Sequence, residues 1–194
     1  MNFNSHLDAV VAATVRLVNV ATAGHLEGRT YEPPHRAELT AALTDALGTD
    51  RNVSPISPSS VDGLVAAATA LRTVIEAIGT GDHDTAAAAL NAMLRESGAH
   101  PELARHDGEP WHLHFHGAAD DQVTGWVAGC ATGLAVVLGS EHADRLGVCS
   151  APSCDRVFVD TSRNGTRRFC EVSCQSRVKM AAYRARAADP RRDV

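Results

Sequence analysis

The sequence predicts a mainly α-helical chain with a small β component, divided into an acidic helical body over 1–147 and a small four-cysteine module over 148–194. Three observations carry this reading. Apolar residues recur three and four apart through much of the first 138 positions, the period of helices with one buried face. The stretch Trp111 to His116 alternates apolar and polar residues, the period of a strand. Four of the five cysteines cluster near the C-terminus as Cys149-x4-Cys154-x15-Cys170-x3-Cys174.

The first helix is expected over 6–22, with Leu7, Val10, Val11, Val15, Val18 and Ala21 on one side. Gly24, Gly28 and the Pro33-Pro34 pair then make a loop, and Leu39, Leu43 and Leu47 define a second helix over 35–47. Asp50 to Ser60, with Pro55 and Pro58, reads as a surface connection. Ser59 or Ser60 can cap a long helix through Leu64, Ala67, Leu71, Val74 and Ile78, which Gly79-Thr80-Gly81 ends. Asp82 or Asp84 caps the next, through Ala86, Leu90, Met93 and Leu94, and Gly98 stops it. In the alternating stretch, Trp111, Leu113 and Phe115 form the expected buried face and His112, His114 and His116 the outer one. Asp120 or Asp121 caps an apolar helix over about 122–138, with Trp126, Cys130, Gly133 and Val137 able to face the core.

Composition bounds the function. The net charge of −5 hides a division: residues 1–148 hold 8 Arg and no Lys against 18 Asp and Glu, while residues 149–194 hold 10 Lys and Arg against 5 Asp and Glu. A basic module on an acidic body suggests that the C-terminal part meets a polyanion; a solvated basic tail without a partner is the plainer alternative. The first residues lack the pattern of a signal peptide, and the apolar run from Val123 to Leu138 is short for a bilayer span. A cytoplasmic protein with no membrane partner is expected, and in a reducing compartment clustered cysteines are metal ligands more often than disulfides.

Two close cysteine pairs separated by a loop suit a tetrahedral Zn²⁺, one structural ion per chain, with no open position for catalysis. A disulfide pair or an iron–sulfur cluster are the competing uses of four thiols. Val157-Phe158-Val159 favours a strand, Asp160 to Gly165 a tight turn, and the segment from about Val172 a helix. The order of knuckle, short hairpin, knuckle and helix is treble-clef-like. A module of this size buries too little apolar surface to fold alone, so metal loading and folding should be one event.

The segment CSAPSCDRVFVDTSRNGTRRFCEVSCQSRVKMAAYRAR resembles the CGNR zinc-finger family, through the four cysteines, Phe158, Asp160, Ser162, Arg163, Asn164, Arg168 and the Tyr183-Arg184-Ala185-Arg186 ending. That family places such a module behind an N-terminal ABATE domain, in proteins regarded as stress-induced transcription regulators. The body is similar through Val18-Asn19 and His112-Leu113-His114-Phe115. The name-giving tetrapeptide stands here as Cys174-Gln175-Ser176-Arg177, keeping the ligand and the arginine. The resemblance implies Zn²⁺ on Cys149, Cys154, Cys170 and Cys174, and DNA contact by the module; cysteine spacing reaches the first independently but not the second.

On the last helix, Val178, Ala181, Ala182 and Ala185 form a narrow small-residue stripe flanked by Arg177, Lys179, Arg184 and Arg186. With Arg163, Arg167 and Arg168 these are the candidate contacts to a phosphate backbone. The competing reading docks the alanine stripe on the zinc ribbon or the body.

His112, His114 and His116 could hold a second metal, but a half-exposed strand with histidines on its outer face is the plainer account. Together with Asn19 they could also line a small-molecule pocket, as a sensor requires. Cys130 reads as a small buried hydrophobe. Ser162 and Ser173 lack a histidine at recognisable spacing and no phosphate-cradling glycine loop occurs, so no enzyme is expected. The reading is a zinc-containing transcription regulator that contacts DNA through its C-terminal module and senses a signal, or pairs as a homodimer, through its body. A zinc-scaffolded protein-interaction or redox-responsive module is the alternative.

Overall fold

The computed structural model describes residues 5–48, 55–105 and 111–187. Six α-helices lie within them: α1 (Ser5–Ala21), α2 (Arg36–Leu47), α3 (Val61–Thr80), α4 (His83–Ser97), α5 (Gln122–Leu138) and α6 (Val172–Ala187). α1, α2, α4 and α5 pack around α3, whose Leu64, Ala68, Leu71, Val74, Ile75 and Ile78 are fully or nearly fully buried. Leu17 and Val18 of α1, Leu43 and Leu47 of α2, Leu90 of α4 and Leu134 and Val137 of α5 close the same core. Cys130 is buried there as a small apolar group, and its surroundings push the thiol up to about 11. Among the described residues no helix is long and apolar enough to cross a membrane.

The helix boundaries follow local chemistry. Asp82 accepts a hydrogen bond from the Thr85 N–H at the start of α4, and Asp121 accepts one from the Thr124 N–H at the start of α5. Gly81 and Gly98 end α3 and α4 in the left-handed conformation that glycine adopts at least cost. Ser60 precedes α3 as expected but makes no cap bond; its Oγ donates to Oε1 of Gln122 at 3.2 Å, because the Gln122 amide is drawn to the 55–60 segment. Of the expected surface connection, residues 50–54 lie outside the described residues, and Ile56 is buried in the core.

Among the described residues three two-stranded antiparallel sheets accompany the helices, and each differs from the sequence expectation. β1 (Gly24–Leu26) and β2 (Arg29–Tyr31) form a hairpin where a loop was expected. Its two-residue turn has positive φ at both Glu27 (53°) and Gly28 (89°), a geometry that hairpins favour but that Glu-Gly announces weakly. β3 (His100–Ala104) pairs with β4 (His112–His116); Pro101 disguised β3, being tolerated because the sheet has only edge strands. The expected buried face of β4 is only partly covered: Phe115 is half-buried, whereas Trp111 is 62% and Leu113 46% exposed, because the strand borders an open cleft. β6 (Val157–Val159) pairs backwards with β5 (Leu146–Val148), enclosing the first cysteine pair. The expected hairpin between the knuckles is therefore absent, and residues 166–169 form no strand.

β5 and β6 lie against the helices. Leu146, Val157 and Val159 belong to the core cluster of the body, while Cys149, Ala151, Cys154, Phe158, Cys170 and Cys174 form a second, smaller cluster. The expected division between 147 and 148 thus falls inside β5.

Candidate metal centre

Two short segments and one helix start bring the four cysteines together. Cys149 directly follows β5, Cys154 lies just before β6, Cys170 precedes α6, and Cys174 sits in its first turn. All four are buried and their Sγ atoms lie within 4.8 Å of one another. The Cys154–Cys170 and Cys170–Cys174 sulfurs are 3.7 and 3.9 Å apart. Four sulfurs at Zn–S distance around one tetrahedral ion would be about 3.8 Å apart. The donor set therefore fits Zn²⁺, and the cysteines are unbridged.

Without an ion the thiols differ. Burial pushes Cys170 and Cys174 up, reinforced by the neighbouring sulfurs. Cys154 lies below its ordinary value because backbone N–H bonds from Arg156 and Glu27 outweigh the opposing effect of burial. Glu27 belongs to the β1–β2 turn, so the body contributes to the electrostatics of a metal-ligand sulfur. The Gly28 N–H bonds the Ser153 carbonyl at 2.8 Å and the Asp155 N–H bonds the His25 carbonyl at 3.1 Å, fixing the hairpin on the first knuckle.

The Asp155-Arg156 pair extends this attachment into the body. Arg156 is 3% exposed; its Nη1 donates to the carbonyls of Asn19 (2.8 Å) and Thr22 (3.0 Å), and its Nη2 to that of Ala23 (3.3 Å) and to Asp155 (2.7 Å). It thereby caps the C-terminal end of α1, where unpaired carbonyls concentrate negative charge, and stacks over Tyr31 at 4.9 Å. Burial alone would raise the Asp155 carboxyl, but the His25 N–H, Arg156 and Arg72 hold it at about 2. Arg72 of α3 also donates to the Asp155 carbonyl at 2.9 Å.

Asn19 is part of the same attachment. Its Nδ2 donates to the Val157 carbonyl and its Oδ1 accepts from the Val157 N–H, both at 2.9 Å. It is committed to the β6 backbone and does not share a pocket with the histidines, which corrects that expectation. An apolar cleft of about 460 Å³ does exist between α1, β4 and α5, bordered by Val10, Phe115, Trp126 and Val136 with His114 and His116. His112 lies against His114, with 2.8 Å between their Nε2 atoms.

The candidate phosphate contacts divide into two groups. Arg167 and Arg177 are spent within the module. Arg167 donates to the carbonyls of Phe169 (2.8 Å), Val159 (3.3 Å) and Cys170, and stacks on Phe158. Arg177 reaches the Pro152 carbonyl at 2.7 Å and lies 3.9 Å from the Cys174 sulfur, tying the start of α6 to the first knuckle. Arg163, Arg168, Lys179, Arg184 and Arg186 are exposed. The small-residue stripe is docked only at its start: Val178 packs half-buried against the cysteine cluster, Ala181, Ala182 and Ala185 are exposed, and Cys174 is the buried residue of the helix. Gln175, where the resembled tetrapeptide has glycine, lies within α6 without positive φ, so the backbone there does not require glycine.

Asp160 organises the turn between the knuckles. Its carboxylate is buried and accepts from the Ser162 and Arg167 N–H groups, both at 2.7 Å. These bonds outweigh burial and keep it ionised below its ordinary range.

The arrangement agrees with what the sequence matches. Residues 145–187 match the CGNR zinc finger, and residues 11–141 match the ABATE family, described as "Putative stress-induced transcription regulator". The chain belongs to the ABATE family. No curated protein matches it. In this ABATE protein the helical part is not merely joined to its zinc finger: through Asn19, Glu27 and the sockets for Arg156 it helps to form the finger's surroundings. Sequence reasoning missed Asp155, Arg156 and Arg72; the one signal was the charged Asp-Arg pair directly after a cysteine.

Proposed function

We propose that the protein is a cytoplasmic, non-enzymatic transcription regulator that carries one structural Zn²⁺ on Cys149, Cys154, Cys170 and Cys174 and grips the DNA backbone with α6. Zn²⁺ bound by four thiolates supplies the cross-link that a module with so small an apolar cluster lacks. The observation that carries the DNA reading is the exposure of α6 from Lys179 to Ala187, with Lys179, Arg184 and Arg186 directed to solvent and Arg163 and Arg168 exposed on the preceding turn. Undocked cations on a projecting helix suit phosphates, which tolerate sequence variation and reward charge. The helical body supplies the regulatory input, through a small ligand in the apolar cleft or through pairing with a second copy.

The test is a polarisation titration of zinc-loaded protein against mixed-sequence duplex DNA at low and high salt. Binding should weaken steeply with salt, and replacing Arg184 and Arg186 with Ala should reduce the salt slope by roughly 2, about one unit per lost phosphate contact. No salt-sensitive binding would remove the DNA reading. A specific feature then favours the second reading, a zinc-scaffolded surface for another protein: Val172, Met180 and Tyr183 of α6 are 74%, 53% and 62% exposed.

A further inference from the structure

The histidine face of the β3–β4 hairpin holds more than the three histidines of one strand. Antiparallel pairing sets His100 opposite His116 and Glu102 opposite His114, so four imidazoles and a carboxylate share one face. The rings form a continuous row: His112 and His114 have centroids 4.8 Å apart, His114 and His116 5.8 Å, and His116 and His100 6.1 Å. The Glu102 carboxylate lies 3.6 Å from Nε2 of His116, and both side chains are about half or more exposed to solvent.

The closest approach in this row is between nitrogens. Nε2 of His112 and Nε2 of His114 are 2.8 Å apart. Neutral imidazole nitrogens at that distance must share a proton between their lone pairs. A cation at an ordinary nitrogen–metal distance from both, with the two bonds at a right angle, would set them about 2.9 Å apart. The pair is thus already spaced as two neighbouring ligands of one ion.

We propose that this face is a second metal site, taking a borderline divalent transition cation such as Ni²⁺, Cu²⁺ or Zn²⁺ through Nε2 of His112 and His114. Imidazole donors select this class over Mg²⁺ or Ca²⁺, which require oxygen. His116, whose ring centroid lies 5.8 Å from that of His114 on the same face, would have to swing inward to serve as a third ligand, and water completes the shell. The negative charge of Glu102 offsets part of the added positive charge. Two pre-placed nitrogens against four thiolates make this the weaker, exchangeable site, filled only after the cysteines.

The experiment titrates Ni²⁺ into the full-length zinc-loaded protein by calorimetry. One further equivalent should bind, should be lost in the His112→Gln, His114→Gln double variant, and should weaken without disappearing in His116→Ala. No further equivalent, or an equivalent unchanged in the double variant, overturns the proposal. A Co²⁺-loaded sample of the double variant keeps the thiolate-to-metal charge-transfer band if the cysteine site and fold are intact. Should that band be lost, Cu²⁺ bound to the unaltered protein decides: electron paramagnetic resonance should show coupling to at least two imidazole nitrogens, and a spectrum without nitrogen coupling overturns the site.

Discussion

The most consequential single residue outside the cysteines is Arg156. It satisfies three carbonyls at the end of α1 and pairs with Asp155 while itself buried. Arg156→Ala would leave the three carbonyls without this donor and Asp155 with only the His25 N–H and Arg72, and we expect a loss of about 3 kcal/mol or more in denaturant unfolding of the zinc-loaded protein. Asn19→Ala removes both bonds to Val157 and should cost about 1–3 kcal/mol in the same measurement. Gly24 combines φ +153° with a position where a Cβ would overlap the Asp155 carboxylate and the Arg156 guanidinium. Gly24→Ala should therefore weaken the same attachment, read as a lower melting temperature with zinc content unchanged. These residues were illegible in the sequence because their roles depend on partners more than 80 positions away, and neither periodicity nor spacing encodes such a pairing. The cysteines were legible because a metal imposes its own short spacing.

At the scale of elements, helices were read well and strands poorly. The caps at Asp82 and Asp121 and the stops at Gly81 and Gly98 are local chemistry, visible within four residues. Asp121→Ala removes the N-cap bond to the Thr124 N–H and should lower the midpoint of a denaturant titration. The hairpins were harder: β1–β2 is three residues per strand, β3 contains a proline, and β6 takes its partner from before the first knuckle. Alternation in β4 was real, but its apolar side meets an open cleft, so the pattern mistook a half-open face for a buried one. Zinc binding must displace thiol protons, and burial holds those of Cys170 and Cys174 more tightly than usual. Zinc affinity should therefore fall as pH is lowered, measured by competition with a chromogenic chelator across the neutral to mildly acidic range.

For the whole molecule, the family matches name two parts, whereas the contacts describe one interlocked body. β5 and β6 hold their apolar side chains in the helical core while enclosing the first cysteine pair. Exhaustive chelation should accordingly do more than loosen the C-terminal segment: β5–β6 should fray, and hydrogen exchange should accelerate at Val157 and at the β1–β2 turn. Unchanged protection at both after zinc removal would disprove the coupling. The charge division has a structural counterpart here: Asp155 and Arg156 face inward to the body, while Lys179, Arg184 and Arg186 of α6 are exposed.

The backbone N–H that Gly28 lends to the Ser153 carbonyl has a practical consequence. A finger excised at its family boundary and spliced onto another protein would forfeit that donor, the Asn19 clamp and the seat for Arg156. It is not a portable cassette: transplantation should succeed only when the β1–β2 ribbon and the end of α1 travel with it.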